Sequence, residues 1–136
     1  MHAAPRAASA FRSEARLVAA RAHALPRRHR FSTQGSFAPV LRSARKLRGR
    51  HTVLHVARSS ADVSRLGIAL TRRLVPSAVL RNRLKRLLRE TFRRHAVKNL
   101  GVDCVVTLRA AVTHGTEAAI VDEVRGFFDQ LSVAST

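Results

Sequence analysis

The decapeptide Arg81-Asn82-Arg83-Leu84-Lys85-Arg86-Leu87-Leu88-Arg89-Glu90 restricts the fold more than any other part of the chain, because it reads as a helix with two incompatible faces. At about 100° per residue, Leu84, Leu87, Leu88, Thr91 and Phe92 share one side. Lys85, Arg86, Arg89 and Arg93 share the other, with Arg83 and Arg94 on its flank. The apolar side requires burial within the same molecule. The arginine side must then point outward, where a dense array of negative charge relieves its self-repulsion, and a nucleic-acid backbone is such an array.

The rest of the charge supports that reading. The chain has 136 residues, a formal charge of +18 and a pI near 12.0. Arginine dominates, with Lys46, Lys85 and Lys98 the only lysines. Its planar fork suits phosphate oxygens and stacks on bases. The cations are placed rather than spread: residues 71–98 hold ten basic residues against Glu90 alone, whereas residues 99–136 hold two against five acids. A merely solvated helix face carries mixed charge. Asn82 falls in the helix's first turn, where free backbone N–H groups add to the field felt by a phosphate. Cys104 is the only cysteine, which precludes an internal disulfide, favours a reducing compartment and reads as a buried small residue. No apolar run approaches the ~20 residues of a membrane span.

Coarse periodicity divides the chain at about residue 25. Residues 1–24 form an Ala/Arg-rich extension expected to be disordered, and 25–136 a single folded domain. A first helix is expected from a Ser32 or Thr33 cap to about Leu47, with Phe37, Val40, Leu41 and Ala44 inward; Pro39 falls inside its first turns, where it is tolerable only if the helix starts near Ser36. Strands follow at His51–Val56 and Arg65–Thr71, then the arginine helix over Ala78–Asn99, a strong strand at Asp103–Arg109, and a helix at Glu117–Ser132. That last helix turns Ile120, Val121, Val124, Phe127, Phe128 and Leu131 inward and Glu117, Asp122, Glu123 and Asp129 outward. The α-β-β-α-β-α order predicts an α+β two-layer sandwich.

No nucleophile–base set, carboxylate dyad, glycine-rich phosphate loop or Cys/His metal spacing is evident. His51 and His55, four apart in a strand, would lie about 13 Å apart on one face, too far to share a metal. The polypeptide is therefore not expected to perform catalysis by itself, and no metal-ligand set is singled out.

Arg81-Asn82-Arg83-x-Lys85-Arg86-x-x-Arg89-Glu90 closely resembles the RNR signature of the bacterial ribonuclease P protein subunit. The likeness runs from about Leu25 to Leu131. Leu66-Gly67-Ile68-Ala69-Leu70-Thr71-Arg72-Arg73 resembles that family's strand ending in a hydroxyl and two basic residues. Arg30-Phe31 with Phe37-x-x-Val40-Leu41 resembles its first helix, and Gly101-x-Asp103-Cys104-Val105-Val106 its glycine-led apolar strand. There are departures. Val75-Pro76-Ser77 replaces a Gly-Asn pair, Leu41 stands at a position often aromatic, and Ser43–Gly49 departs from a Gly/Arg-rich helix end.

The resemblance implies a small mixed sheet with a left-handed β-α-β crossover carrying the arginine helix, like a domain of a small-subunit ribosomal protein. It implies an endoribonuclease subunit whose large catalytic RNA performs the Mg2+-dependent removal of the 5′ leader from precursor tRNA. Arg81, Asn82, Arg83, Lys85, Arg86, Arg89 and Arg93 would bind RNA, and Phe37, Leu41, Arg72 and Arg73 would line a leader cleft. The partners implied are the catalytic RNA and precursor tRNA, in the cytoplasm, with Mg2+ held mainly by the RNA and no obligate protein partner. The alternative is a ribosomal or other structural RNA-binding protein. A helix-turn-helix DNA binder is a third class, but strands on both sides of the arginine helix argue against it.

Overall fold

The computed structural model describes residues 25–31, 37–43, 45–59 and 63–134, so the expected extension 1–24 and Ala44 lie outside the described residues. Four strands form one sheet: β1 (Arg45–Arg48), β2 (Thr52–Arg58), β3 (Arg65–Ala69) and β4 (Val102–Leu108). Their spatial order is β1-β2-β4-β3. The β1–β2 and β2–β4 pairs are antiparallel, and β3 runs parallel to β4. Among the described residues, three α-helices accompany them: α1 (Ala38–Leu41), α2 (Ala78–Arg93) and α3 (Glu117–Ala134). The arginine helix is α2, and it joins the two parallel strands.

The first helix is far shorter than its composition predicts, and the fold gains a strand. Arg45-Lys46-Leu47-Arg48 pairs with β2 in the register Arg45↔Val56 to Arg48↔Val53 instead of continuing a helix. Arginine, lysine and leucine are good helix formers, so the local preference is overridden by strand pairing. Ser43 redirects the backbone. Its hydroxyl donates to the Val56 carbonyl and accepts from the Arg45 N–H at 3.2 Å, a side-chain alternative to further helical bonds. Pro39 sits in the first turn of α1, where its missing N–H is harmless.

Ser77 caps α2, its hydroxyl accepting from the Leu80 N–H at 3.2 Å. The helix ends at Arg93 rather than continuing to Asn99. His95 then caps a 3-10 turn, Ala96–Asn99, by accepting from the Val97 N–H at 3.0 Å. Gly101, at φ 72°, turns the chain into β4.

Strand alternation splits the sheet into two surfaces. Leu54, Val56, Leu66, Ile68, Cys104 and Val106 face α2 and α3 in a core completed by Leu88, Phe92, Val124 and Phe128. A second cluster holds Val75, Leu80, Leu84, Val112 and Ile120. Burial pushes the Cys104 thiol up to about 12, so it is a small core residue rather than a reactive one. The opposite surface carries Lys46, Val53, His55, Gly67, Val105 and Thr107 by the same alternation, and α1 packs there against β2 and β4.

Among the acids expected to face solvent on the last helix, Glu123 does not. Its carboxylate accepts the backbone N–H groups of Arg50, His51 and Thr52 and the Thr52 hydroxyl, tying the β1–β2 turn to α3. Gly49 is part of this arrangement, since a Cβ there would collide with that carboxylate. Asp129 also has a partner, His95 Nε2 at 2.6 Å.

Candidate nucleic-acid interface

The buried line of α2 is a strict i, i+4 ladder of Leu80, Leu84, Leu88 and Phe92. This corrects the wheel drawn from sequence: Leu87 and Thr91 sit on the flank of the stripe, and Leu87 is 37% exposed. Phe92 is wholly buried, edge-on to both His29 and Phe128. That anchoring fixes which residues face away. Asn82, Arg83, Arg86 and Arg89 are exposed, and Lys85 is half-buried. Partial desolvation of the Arg89 side chain against the protein surface and the nearby charge of Arg30 together lower the Arg89 pKa, so Arg30 extends the cationic surface beyond the helix.

Two of the expected RNA-binding arginines have structural duties. Arg81 Nη1 donates to the carbonyls of Val75 at 2.7 Å and Pro76 at 3.0 Å. It thereby holds the Val75-Pro76-Ser77 connection, with Val75 wholly buried and Ser77 as cap. Arg93 is bonded twice to Glu90, Nε to Oε2 at 3.0 Å and Nη2 to Oε1 at 2.6 Å, and Arg94 Nε reaches the same Oε1 at 2.7 Å. Glu90 therefore serves the last turn only, and the exposed cations nearer the helix N-terminus have no acidic side chain on α2.

These pairs predict an acid response. The Arg93 hydrogen bond, helped by Arg94, holds the Glu90 carboxyl down to about 2. For Glu123, burial alone would raise the pKa, but hydrogen bonds from Thr52, Arg50 and His51 outweigh it and the net direction is down. A carboxylate with a lowered folded-state pKa stabilises the fold above its ordinary value of 4.5 and loses that contribution as pH falls. The urea midpoint should therefore fall as pH is lowered from about 5 toward 2. Glu90→Gln should make that fall shallower; an unchanged profile would show that the pair contributes nothing.

On the opposite sheet surface Phe37 lies directly over Gly67, with ring carbons 2.5 to 3.0 Å from where a Cβ would stand. Phe31 meets Phe37 edge-on at 5.0 Å between centroids. The Arg65 guanidinium lies 4.5 Å over the Phe31 ring and is fixed by two bonds to Asp103, at 3.0 and 2.7 Å. Phe31, Phe37 and Arg65 thus form one half-buried unit. Sequence reasoning singled out Phe37 but missed Arg65, Gly67 and Asp103. A lone acid inside the apolar run of β4 was the available signal, since a buried carboxylate needs a partner. Leu41 is half-buried at the end of α1. Arg72 and Arg73 are exposed in the turn after β3, on the approach to α2. His55 shares a 2.9 Å hydrogen bond with Thr107, and burial, Lys46 and Arg48 lower its pKa.

Among the described residues no group of three or more His, Cys, Asp or Glu could hold a metal ion, and no helix is long and apolar enough to cross a membrane. A family model described as Ribonuclease P matches residues 25–132. The ribonuclease P protein component of Azoarcus sp. is 34% identical over 103 residues, covering 76% of this chain and 86% of the relative. That of Thioalkalivibrio sulfidiphilus is 38% identical over 107 residues, covering 79% and 89%. Among solved structures, the RNase P protein of Staphylococcus aureus aligns with a TM-score of 0.64 at 27% identity, over 78% of this chain and 94% of that one. The RNase P protein from Thermotoga maritima aligns at 0.59 and 25% identity, over 74% and 96%.

Proposed function

This chain belongs to the ribonuclease P protein family and is the protein subunit of that enzyme, and from that premise we propose how its two surfaces divide the work. The match sets aside the structural RNA-binding alternative. The exposed side of α2, through Asn82, Arg83, Lys85, Arg86 and Arg89, docks on phosphates of the catalytic RNA. Arg81 and Arg93 act mainly by holding the two ends of that helix. On the other side of the sheet, the Phe31–Phe37–Arg65 unit meets the single-stranded 5′ leader of precursor tRNA, with Leu41 at the margin and Arg72 and Arg73 on the connection toward α2.

The observation that carries this reading is the two-sided arrangement. One core places a cationic helix against one sheet surface and a half-exposed aromatic pair against the other. A chain so built can hold two RNA segments at once and offset the repulsion between them. We assign Mg2+, and the cleavage chemistry, to the RNA partner, in the cytoplasm. The decisive experiment is cleavage of precursor tRNA by the cognate catalytic RNA at low Mg2+, with and without this protein. Equal rates would overturn the reading.

The leader surface makes its own prediction. Phe37→Ala should weaken binding of substrates that carry a leader by about 1–3 kcal/mol, the usual worth of one aromatic–base stack, and leave leaderless substrates unchanged. Gly67→Ala should act in the same direction, because its methyl would occupy the place of the Phe37 ring. Equal losses for both substrates would make Phe37 a packing residue only.

A further inference from the structure

Only three large apolar side chains are conspicuously exposed among the described residues, and two of them lie on the arginine helix: Val79 at 77% and Leu87 at 37%. They are eight residues apart with Arg83 midway, so the three form an i, i+4, i+8 line about 12 Å long on one side of α2. This line is distinct from Asn82, Arg86 and Arg89, which cluster around the opposite side from the buried ladder. Toward its C-terminal end the line runs into a shallow depression between α2 and α3, lined by Leu87, Thr91 and Val121 together with Arg94 and Arg125. Glu90 also borders it, but its charge is taken by Arg93 and Arg94; Asp122 next to it is paired with Arg125. Arg83 forms no salt bridge among the described residues; the Glu117 pKa is lowered chiefly by the backbone N–H groups of Glu117 and Gly115, with the Arg83 charge a smaller contribution.

Phosphate docking gives valine and leucine nothing to do. A regular RNA duplex presents phosphates, hydroxyls and a major groove too narrow for side chains. Exposed methyl groups gain only from apolar or flat surface, which RNA offers where nucleotides are unstacked. We propose that Val79, Arg83 and Leu87 form a packing subsite for unstacked nucleotides in a non-helical segment of the catalytic RNA. In it the Arg83 guanidinium stacks its plane on a base while its edge bonds a flanking phosphate, and Val79 and Leu87 cover neighbouring base or ribose faces. The surrounding cations favour RNA over a second copy of this strongly basic chain. The proposal rests on the assignment of α2 to the catalytic RNA.

The test is binding of the cognate catalytic RNA across a salt series. Val79→Ala and Leu87→Ala should each lower affinity roughly five- to tenfold, from the buried methyl groups lost. The log–log salt slope should not change, since no phosphate contact is removed. Arg83→Lys keeps the charge but not the plane, and should also weaken binding without altering the slope. The melting temperature of Val79→Ala should match the unaltered chain, because that side chain is 77% exposed; Leu87→Ala, at 37%, should lower it slightly, so its RNA affinity is compared well below the transition. If the two alanine variants bind like the unaltered chain, or if lysine at position 83 restores full affinity, the subsite is overturned. If Arg86→Ala with Arg89→Ala also leaves RNA affinity intact, it is the assignment of the whole helix that fails.

Discussion

Replacing Arg83, Arg86 and Arg89 together by Ala should lower affinity for the catalytic RNA by between one and two powers of ten at about 0.15 M salt, and reduce the log–log salt slope by roughly two to three units. Each lost phosphate contact removes about 0.7–0.9 of slope, and these three side chains are exposed, with no acidic side chain on α2 bonded to them. Arg81→Ala should behave differently. Removing it strips the bonds to the Val75 and Pro76 carbonyls, so the loss should register in the melting temperature as well as in RNA affinity. A triple variant whose salt slope matches that of the unaltered chain would mean that the arginine face does not touch phosphates.

Glu123→Ala should produce the largest loss of stability from a single polar residue. One carboxylate satisfies three consecutive backbone N–H groups and the hydroxyl of Thr52, a residue with no exposed surface. Bonds to a charged acceptor contribute about 1.5–3 kcal/mol each, but they are not additive here, so the expected loss is about 3 kcal/mol. For a domain of this size that lowers the melting temperature by on the order of 10 °C or more. Glu123→Gln keeps one acceptor oxygen and should lose less. A melting temperature within error of the unaltered chain for Glu123→Ala would show that the β1–β2 turn holds itself without α3.

The arginine helix was legible because its pattern is local. An apolar ladder, a Ser cap and a charge imbalance all lie within one stretch of chain, and so did the strands whose β-branched residues alternate. What escaped sequence reasoning depends on distant partners. Arg45–Arg48 carries helix-forming residues and becomes a strand only because β2 is there to pair with it. Glu123 looks like a solvent acid on an amphipathic helix; its role needs the turn at residues 49–52, more than seventy residues upstream. Leu87 was assigned inward by a wheel, yet a wheel cannot say where the stripe's centre falls, which here is set by Phe92 between His29 and Phe128. Phe37 was identified, but its seat was not, since nothing local links it to the missing side chain of Gly67.

Strand β1 lies at the margin of the sheet, paired on one side with β2 and, among the described residues, with no strand on the other. An open strand is a template on which another chain can add, which is how many small sheets come to precipitate. Arg45, Lys46 and Arg48 are all exposed along this one, so an identical margin approaching it meets like charge at nearly every position. That protection against aggregation lasts only while the charges are bare. A short polyanion that neutralises them without covering the strand removes it, so the cations that suit this chain to RNA also keep it from adding to itself before the RNA arrives.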